Sequence, residues 1–250
     1  MKLIIDDADL NQIKSIYEYY PVDGVTTNPS ILAKTGRPPY QVLEEIRTYL
    51  GSEAELHVQV VARDAAGMAE DAYRIVERLG RGTFVKIPAI PEGFKAMKQL
   101  CSEGIRVTAT AVYTPMQAFL AGKCGADYTA PYINRIDNMG YNGVETAQRI
   151  HTVFRNNGLK TEVLAASFKN SQQILELCEF GIGAATAAPA VIEALVNNAA
   201  ITGAVDAFTA DFEKLVGIGT VSYTHLTELV RPRRDTIAIL NHWSESPVFR

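Results

Sequence analysis

The lysine inside "FVKIPAI" (84–90) is the residue best suited to covalent chemistry. Phe84, Val85, Ile87 and Ile90 favour a pleated, buried strand, and lysine rarely buries its ammonium without a partner. Desolvation disfavours the charged form and lowers the pKa of the amine. A free amine attacks ketones and aldehydes, and a Schiff base follows. Moving a lysine from ~10.4 to ~7.5 takes about 4 kcal/mol of differential destabilisation of the charge, which partial burial supplies. A lysine alone in a strand would more ordinarily pack its stem and pair its head, here with Asp6. The company it keeps decides between the two.

In a barrel strand, alternate residues point to the interior. Lys86 shares a face with Phe84 and Pro88, Gln59 with His57, and Thr110 with Thr108. Tyr132 shares one with Ala130 and Asn134, and Asp6 with Ile4. Thr26 goes with Asn28, and Ala165 with Ser167. One lane then carries Asp6, Asn28, Gln59, Lys86, Thr110, Tyr132 and Ser167. An interior built only for stability would prefer Val, Ile and Leu. Most of the lane lies toward the C-terminal strand ends, where barrel active sites sit. The lane therefore favours a reactive Lys86 over a structural one.

The elements that must position this lane are legible as apolar runs. Eight strand candidates appear: "KLIID", "GVTTN", "ELHVQVV", "TFVKIPA", "RVTATAVY", "YTAPYI", "EVLAASF" and "GAATA". Between them, apolar residues recur at three- and four-residue spacing, as in Leu10-Ile13-Ile16-Tyr17 and Met68-Ala72-Ile75-Val76-Leu79. Asp64 is a predicted N-cap, and Thr114 followed by Pro115 is another. Alternating strands and helices predict a parallel sheet. Eight units close most economically into an α/β (β/α)₈ TIM barrel. An open doubly wound sheet is weakened by the absence of GxGxxG after the first strand. Residues 1–216 are expected to form one barrel domain, with an extra helix near 208–216. Residues 217–250, which hold Trp243 and the basic turn Arg231-Pro232-Arg233-Arg234, read as a tail that contacts another subunit or is poorly ordered.

Composition narrows the function classes. The 250-residue chain is 47% hydrophobic with a formal net charge of −4, so nucleic acid and anionic membranes gain no general attraction. "RPRR" alone reads as a solvated turn. Cys101, Cys124 and Cys178, all in helix-like segments, form no CxxC, which points to a reducing compartment without disulfides or zinc. His57, His151, His225 and His242 form no HxH or HExxH pair, so no metal is expected. No apolar stretch approaches the ~20 residues of a membrane span, and the N-terminal apolar run is too short for a signal peptide. The expectation is a cytoplasmic protein.

Five segments carry a resemblance: "GVTTNPSIL" (24–32), "FVKIPA" (84–89), "EGIRVTATAVYTPMQA" (103–118), "APYINRID" (130–137) and "VLAASFKN" (163–170). In this order over roughly residues 1–216, the chain resembles the short transaldolase-like barrels, which include small transaldolases and fructose-6-phosphate aldolase. The resemblance implies class I, Schiff-base chemistry on a ketose phosphate, with no metal or cofactor. By the same resemblance, Lys86 is the Schiff-base lysine, and Asp6 and Asn28, joined by Thr26, hold the dihydroxyacetone hydroxyls. Arg135 and Ser167, with Lys169 assisting, form the phosphate site; a guanidinium suits phosphate through paired charge-assisted bonds. A ring-forming homo-oligomer, a decamer of two pentamers, is also implied.

Within that family, Gln59 and Tyr132 look aldolase-like, because transaldolases tend to have Glu and "SPFVGR" at these places. Tyr132, beside a water held by Gln59 and Thr110, would protonate the enamine and release dihydroxyacetone. The expected reaction is fructose 6-phosphate to dihydroxyacetone and glyceraldehyde 3-phosphate, and its reverse. Asp7, His57, the displaced proline of "TAAPAVIEAL" and the basic tail depart from the family and leave the substrate open. The alternatives are transfer of the same unit to a second sugar phosphate, the same chemistry on a related anionic sugar such as a sulfonate, and a sugar-phosphate-binding barrel without catalysis.

Overall fold

A computed structural model describes residues 1–216; Trp243, His225, His242 and the basic turn of the expected tail lie outside the described residues. Eight parallel strands close into a (β/α)₈ barrel in sequence order. They are β1 (Lys2–Asp6), β2 (Gly24–Thr26), β3 (Glu55–Gln59), β4 (Phe84–Pro88), β5 (Val107–Val112), β6 (Tyr128–Pro131), β7 (Glu162–Ala165) and β8 (Ala184–Ala187). Pairing of Lys2 with Ala184 and of Ile5 with Ala187 completes the circle. The helices are α1 (Leu10–Tyr19), α2 (Pro29–Lys34), α3 (Pro39–Leu50), α4 (Ala65–Leu79), α5 (Pro91–Ser102), α6 (Pro115–Lys123), α7 (Ile133–Asp137), α8 (Gly143–Asn156), α9 (Ser171–Phe180), α10 (Pro189–Glu193) and α11 (Ala199–Val216). Residues 1–196 form one compact unit, and α11 belongs to a second. The extra helix is longer than the 208–216 expected. No helix among the described residues is long and apolar enough to cross a membrane.

The helix starts follow from local chemistry. Asp9, Asp64, Asn142 and Asn170 cap α1, α4, α8 and α9 with their side chains. Thr114 opens α6 in a reciprocal capping box with Gln117. Proline occupies the first turn of α2, α3, α5, α6 and α10, where its missing N–H costs nothing. These sharp starts keep the strand-to-helix loops short and gather the strand ends into one rim. Cys124 caps the end of α6 and so falls just outside the helix.

Two packed layers result. The larger lies between barrel and helices and takes the outward faces, including Ile5, Val25, Val58, Val85, Ile87, Ala109 and Ala165. The smaller fills the lower lumen with Ile4, Phe84, Tyr128, Leu164 and Ala184. A polar plug joins it: His57 stacks on Phe84 with centroids 4.4 Å apart, and its Nδ1 lies 2.9 Å from Thr108 Oγ1. Its Nε2 lies 3.3 Å from Glu55, which also takes bonds from Lys2 and Tyr128. The lumen is thus sealed below and polar above. Close approach fixes one helix on β4: a Cβ on Gly93 of α5 would stand 1.9 Å from Pro88 O.

Candidate active site

The upper lumen opens into a cavity of about 380 Å³. Asp6, Thr26, Asn28, Gln59, Lys86, Tyr132, Arg135 and Ser167 all line it, joined by Thr186. A wider space of about 770 Å³ continues from Asp6, Asn28 and Arg135 across Asp7, Lys34 and Arg37. Most of the polar lane is therefore one concave surface, at the C-terminal strand ends.

Lys86 is 5% exposed. Its Nζ donates to Thr27 O at 2.8 Å. Among the described residues it makes no ion pair within 4.0 Å of a carboxylate, so the expected alternative of a head paired with Asp6 is not what the lumen holds. Burial pushes its pKa down, and the nearby Asp6 opposes that shift. Burial pushes Asp6 up, against Lys86 and against the Thr26 hydroxyl that donates to it at 2.8 Å. Each group is driven toward its neutral form, which suits a free amine beside an acid able to hold a proton. Thr26 Oγ1 also lies 2.6 Å from Thr186 Oγ1. Thr186 was missed as a lining residue, although alternation with Ala184 on β8 is the signal that finds it.

Three expectations need correction. Asn28 is not on β2; it caps α2, its Oδ1 accepting from Ile31 N–H at 3.0 Å, and from there it lines the cavity. Tyr132 and Asn134 are not on β6, which ends at Pro131; Tyr132 precedes α7 and Asn134 lies within it. The Tyr132 phenol still returns to the lumen, 2.7 Å from the buried Thr110 hydroxyl. Leu164 on β7 and Ala166 just beyond it face inward, while Ala165 packs outward. Ser167 reaches the cavity because its φ of 64° breaks the alternation. Its carbonyl accepts from Asn134 N–H and that of Ala166 from Ile133 N–H, so the start of α7 holds this turn.

Arg135 stands at the rim with its guanidinium 4.6 Å from the centroid of the Tyr132 ring. A hydrogen bond to Tyr113 is the main reason its pKa rises further. Arg135 and Ser167 share the cavity wall, so a guanidinium and a hydroxyl face one space. Lys169 is exposed and is not among the lining residues. Among the described residues, no three of His, Cys, Asp and Glu gather closely enough to hold a metal.

A parallel barrel carrying a buried amine, a carboxyl, paired hydroxyls and a guanidinium at its C-terminal mouth is an enzyme barrel in architecture. The sequence matches the transaldolase/fructose-6-phosphate aldolase family over residues 3–231. It is 36% identical over 217 residues to a probable transaldolase of Coprothermobacter proteolyticus, covering 87% of this chain and 99% of that protein. It is 37% identical over 215 residues to a probable transaldolase of Geotalea uraniireducens, covering 86% of this chain and 99% of that protein. The chain belongs to the transaldolase/fructose-6-phosphate aldolase family.

Proposed function

We propose that the protein is a class I aldolase of this family that cleaves fructose 6-phosphate to dihydroxyacetone and glyceraldehyde 3-phosphate and runs the reverse. Lys86 Nζ attacks the C2 carbonyl, and loss of water gives the iminium. Transfer of the C4 hydroxyl proton to a water held beside Tyr132 by Gln59 and Thr110 breaks the C3–C4 bond and leaves an enamine on Lys86. Protonation at C3 and addition of water then release dihydroxyacetone. Asp6, Thr26 and Asn28 hold the hydroxyls of the three-carbon unit. Arg135 and Ser167 take the phosphate, with Lys169 a further charge at the rim.

The observation that carries the reading is the buried Lys86 amine, held by the Thr27 carbonyl, in the same cavity as a phenol bonded to Thr110. A hydroxyl pair there supplies the acid that ends the enamine's life, and Gln59 lines the same wall. The names of the relatives favour a second reading, in which the enamine waits for an acceptor aldehyde and the protein is a transaldolase. A related anionic sugar, such as a sulfonate, would engage the same arginine and serine. A barrel that only binds sugar phosphates would not need the buried amine. The expected family oligomer, a pentamer or decamer, is part of the same proposal.

The test is to incubate the protein with fructose 6-phosphate and no acceptor, and to count free dihydroxyacetone per site. Many turnovers support the aldolase. One equivalent or less, with activity restored by erythrose 4-phosphate, supports the transaldolase. No adduct on Lys86 after borohydride trapping across a panel of ketoses would overturn both.

A further inference from the structure

Strand β5 is irregular where it pairs with β6. Its pairing with β6 runs Thr108 to Tyr128, Ala109 to Thr129, and then Val112 to Pro131. Three steps on β5 answer two on β6, which is a β-bulge. The bulge contains Ala111 at φ 54°, a region that a side chain bearing a Cβ resists. Ala109 and Val112 consequently both pack in the helix-facing core, although an odd spacing would put them on opposite faces of a regular strand.

This change of parity shapes the site. Thr110 stays in the lumen, 2.7 Å from the Tyr132 phenol. Val112 turns away from the mouth, and its carbonyl accepts Tyr132 N–H at 3.1 Å. Tyr113 then stands edge-on to the Tyr132 ring, with centroids 5.6 Å apart. Residues 110–113 thus hold Tyr132 by its hydroxyl, its backbone and its ring.

Gln117 holds that segment. Its Nε2 donates to Ala111 O at 3.3 Å and to Ala89 O at 3.0 Å. Its Oε1 accepts Tyr113 N–H at 3.0 Å and Thr114 N–H at 3.2 Å. A capping box requires only the Thr114 bond; the others reach beyond the helix. Ala89 N–H in turn donates to Thr110 O at 2.8 Å, next to the end of the strand that carries Lys86. One side-chain amide ties the bulge, Tyr113 and the end of β4 together.

We propose that Gln117 is a positioning residue for proton transfer: through the bulge at Ala111 it fixes the Thr110 hydroxyl against the Tyr132 phenol. This rests on the reading of Tyr132 as the acid that quenches the enamine. Gln117→Glu separates the two halves of the clamp. The carboxylate keeps the acceptor for the capping box and suits a helix N-terminus, but it has no proton for Ala111 O or Ala89 O.

In Gln117→Glu, borohydride trapping on Lys86 should stay within about two-fold, while release of dihydroxyacetone without acceptor falls about ten-fold or more, part of the ~10²–10⁴ that acid–base catalysis contributes. Gln117→Leu, which loses both halves, should show the same split with a lower Tm. Unchanged release, or release that falls in step with trapping, would overturn the proposal. A second readout does not depend on turnover: ring-¹³C tyrosine NMR, with the Tyr132 signal assigned by its loss in Tyr132→Phe. That signal should move in Gln117→Glu while the Tyr128 signal does not, and an unmoved Tyr132 signal would overturn the clamp. A parent protein that neither traps nor releases would sink the proposed function instead, and the NMR result would still decide on Gln117.

Discussion

Tyr132→Phe removes one oxygen and leaves nearly everything else. The ring keeps its edge contact with Tyr113 and the Arg135 guanidinium 4.6 Å from its centroid. What disappears is the 2.7 Å bond to Thr110, whose buried hydroxyl loses that partner. A neutral hydrogen bond of this kind contributes about 1 kcal/mol net, and a stranded buried partner makes the loss nearer 2 kcal/mol. For a barrel of this size, that lowers Tm by about 4–8 °C. The kinetic effect should be far larger. Losing a general acid slows its step by about 10²–10⁴, or about 3–5 kcal/mol in the barrier. Adduct formation should be spared, because Lys86 Nζ is held by Thr27 O rather than by the phenol. The assay pairs two measurements on the same sample: adduct trapped by borohydride, counted by mass, and dihydroxyacetone released without acceptor. Trapping near the parent level with release cut at least a hundred-fold supports the assignment. Release at the parent rate would refute it. A matched fall in both would move Tyr132 to an earlier step and refute it equally.

Other perturbations give sharp expectations. Lys86→Met should abolish turnover and trapping yet raise Tm, because an apolar side chain replaces an amine whose charge burial disfavours; retained turnover would remove the Schiff base. Because burial lowers the folded pKa of Lys86, the unfolded chain binds that proton more readily. The parent's stability should therefore climb as pH rises toward the ordinary lysine value of ~10.4, and Lys86→Met should lack this climb in a pH series of Tm. In acid, burial holds His57 down to about 4 although Glu55 pulls the other way. Stability should fall as pH drops from 6.5 to about 4, by about 3 kcal/mol, since only the unfolded chain takes the proton there. Burial raises Glu55, but hydrogen bonds from His57 and Lys2 outweigh it and bring it to about 2, so a second loss should follow between pH 4.5 and 2. Denaturant midpoints for the parent and His57→Phe check the first window, and parallel curves would contradict it. Gly93→Ala puts a Cβ 1.9 Å from Pro88 O, a backbone atom of a barrel strand, and should cost about 3 kcal/mol; an unchanged urea midpoint would refute that.

The strands were legible because each is a short apolar run bounded by turn residues, and the caps at Asp64 and Thr114 because short polar side chains precede apolar periods. Lys86 was legible for the opposite reason: it violates the apolar pattern around it. Strand ends were less so. "YTAPYI" reads as one strand, and Tyr132 still bridges Ala166 and donates its N–H to Val112 O, but the chain enters α7 directly after it. "GVTTN" reads through Asn28, but its side chain satisfies Ile31 N–H better as a cap than as a strand residue. At Asn28 a capping bond at the rim outcompetes the local β preference, whereas at Tyr132 strand pairing persists one residue past β6 before the helix begins.

The two non-glycine residues with positive φ among the described residues, Ala111 and Ser167, explain why alternation alone could assemble the lane and still misplace its parts. They flank β6 in the barrel, Ala111 on β5 and Ser167 just beyond β7. Ahead of Ser167 the period of two holds, with Leu164 and Ala166 inward; at Ser167 it fails, and the residue reaches the cavity from the wrong parity. Past Ala111 it fails in the other sense, and Val112 leaves the mouth for the outer core. Such conformations persist only where surrounding bonds over-determine them. Here Gln117 holds one and the start of α7 holds the other. Between them stands Tyr132, its hydroxyl bonded to Thr110, which keeps its regular pairing with Pro88, and its backbone and ring held by Val112 and Tyr113 beyond the bulge. Backbone strain is thus concentrated around the group that the proposed chemistry asks to deliver a proton at one place, which is why a sequence pattern built on regular strands finds the residue but not how it is held.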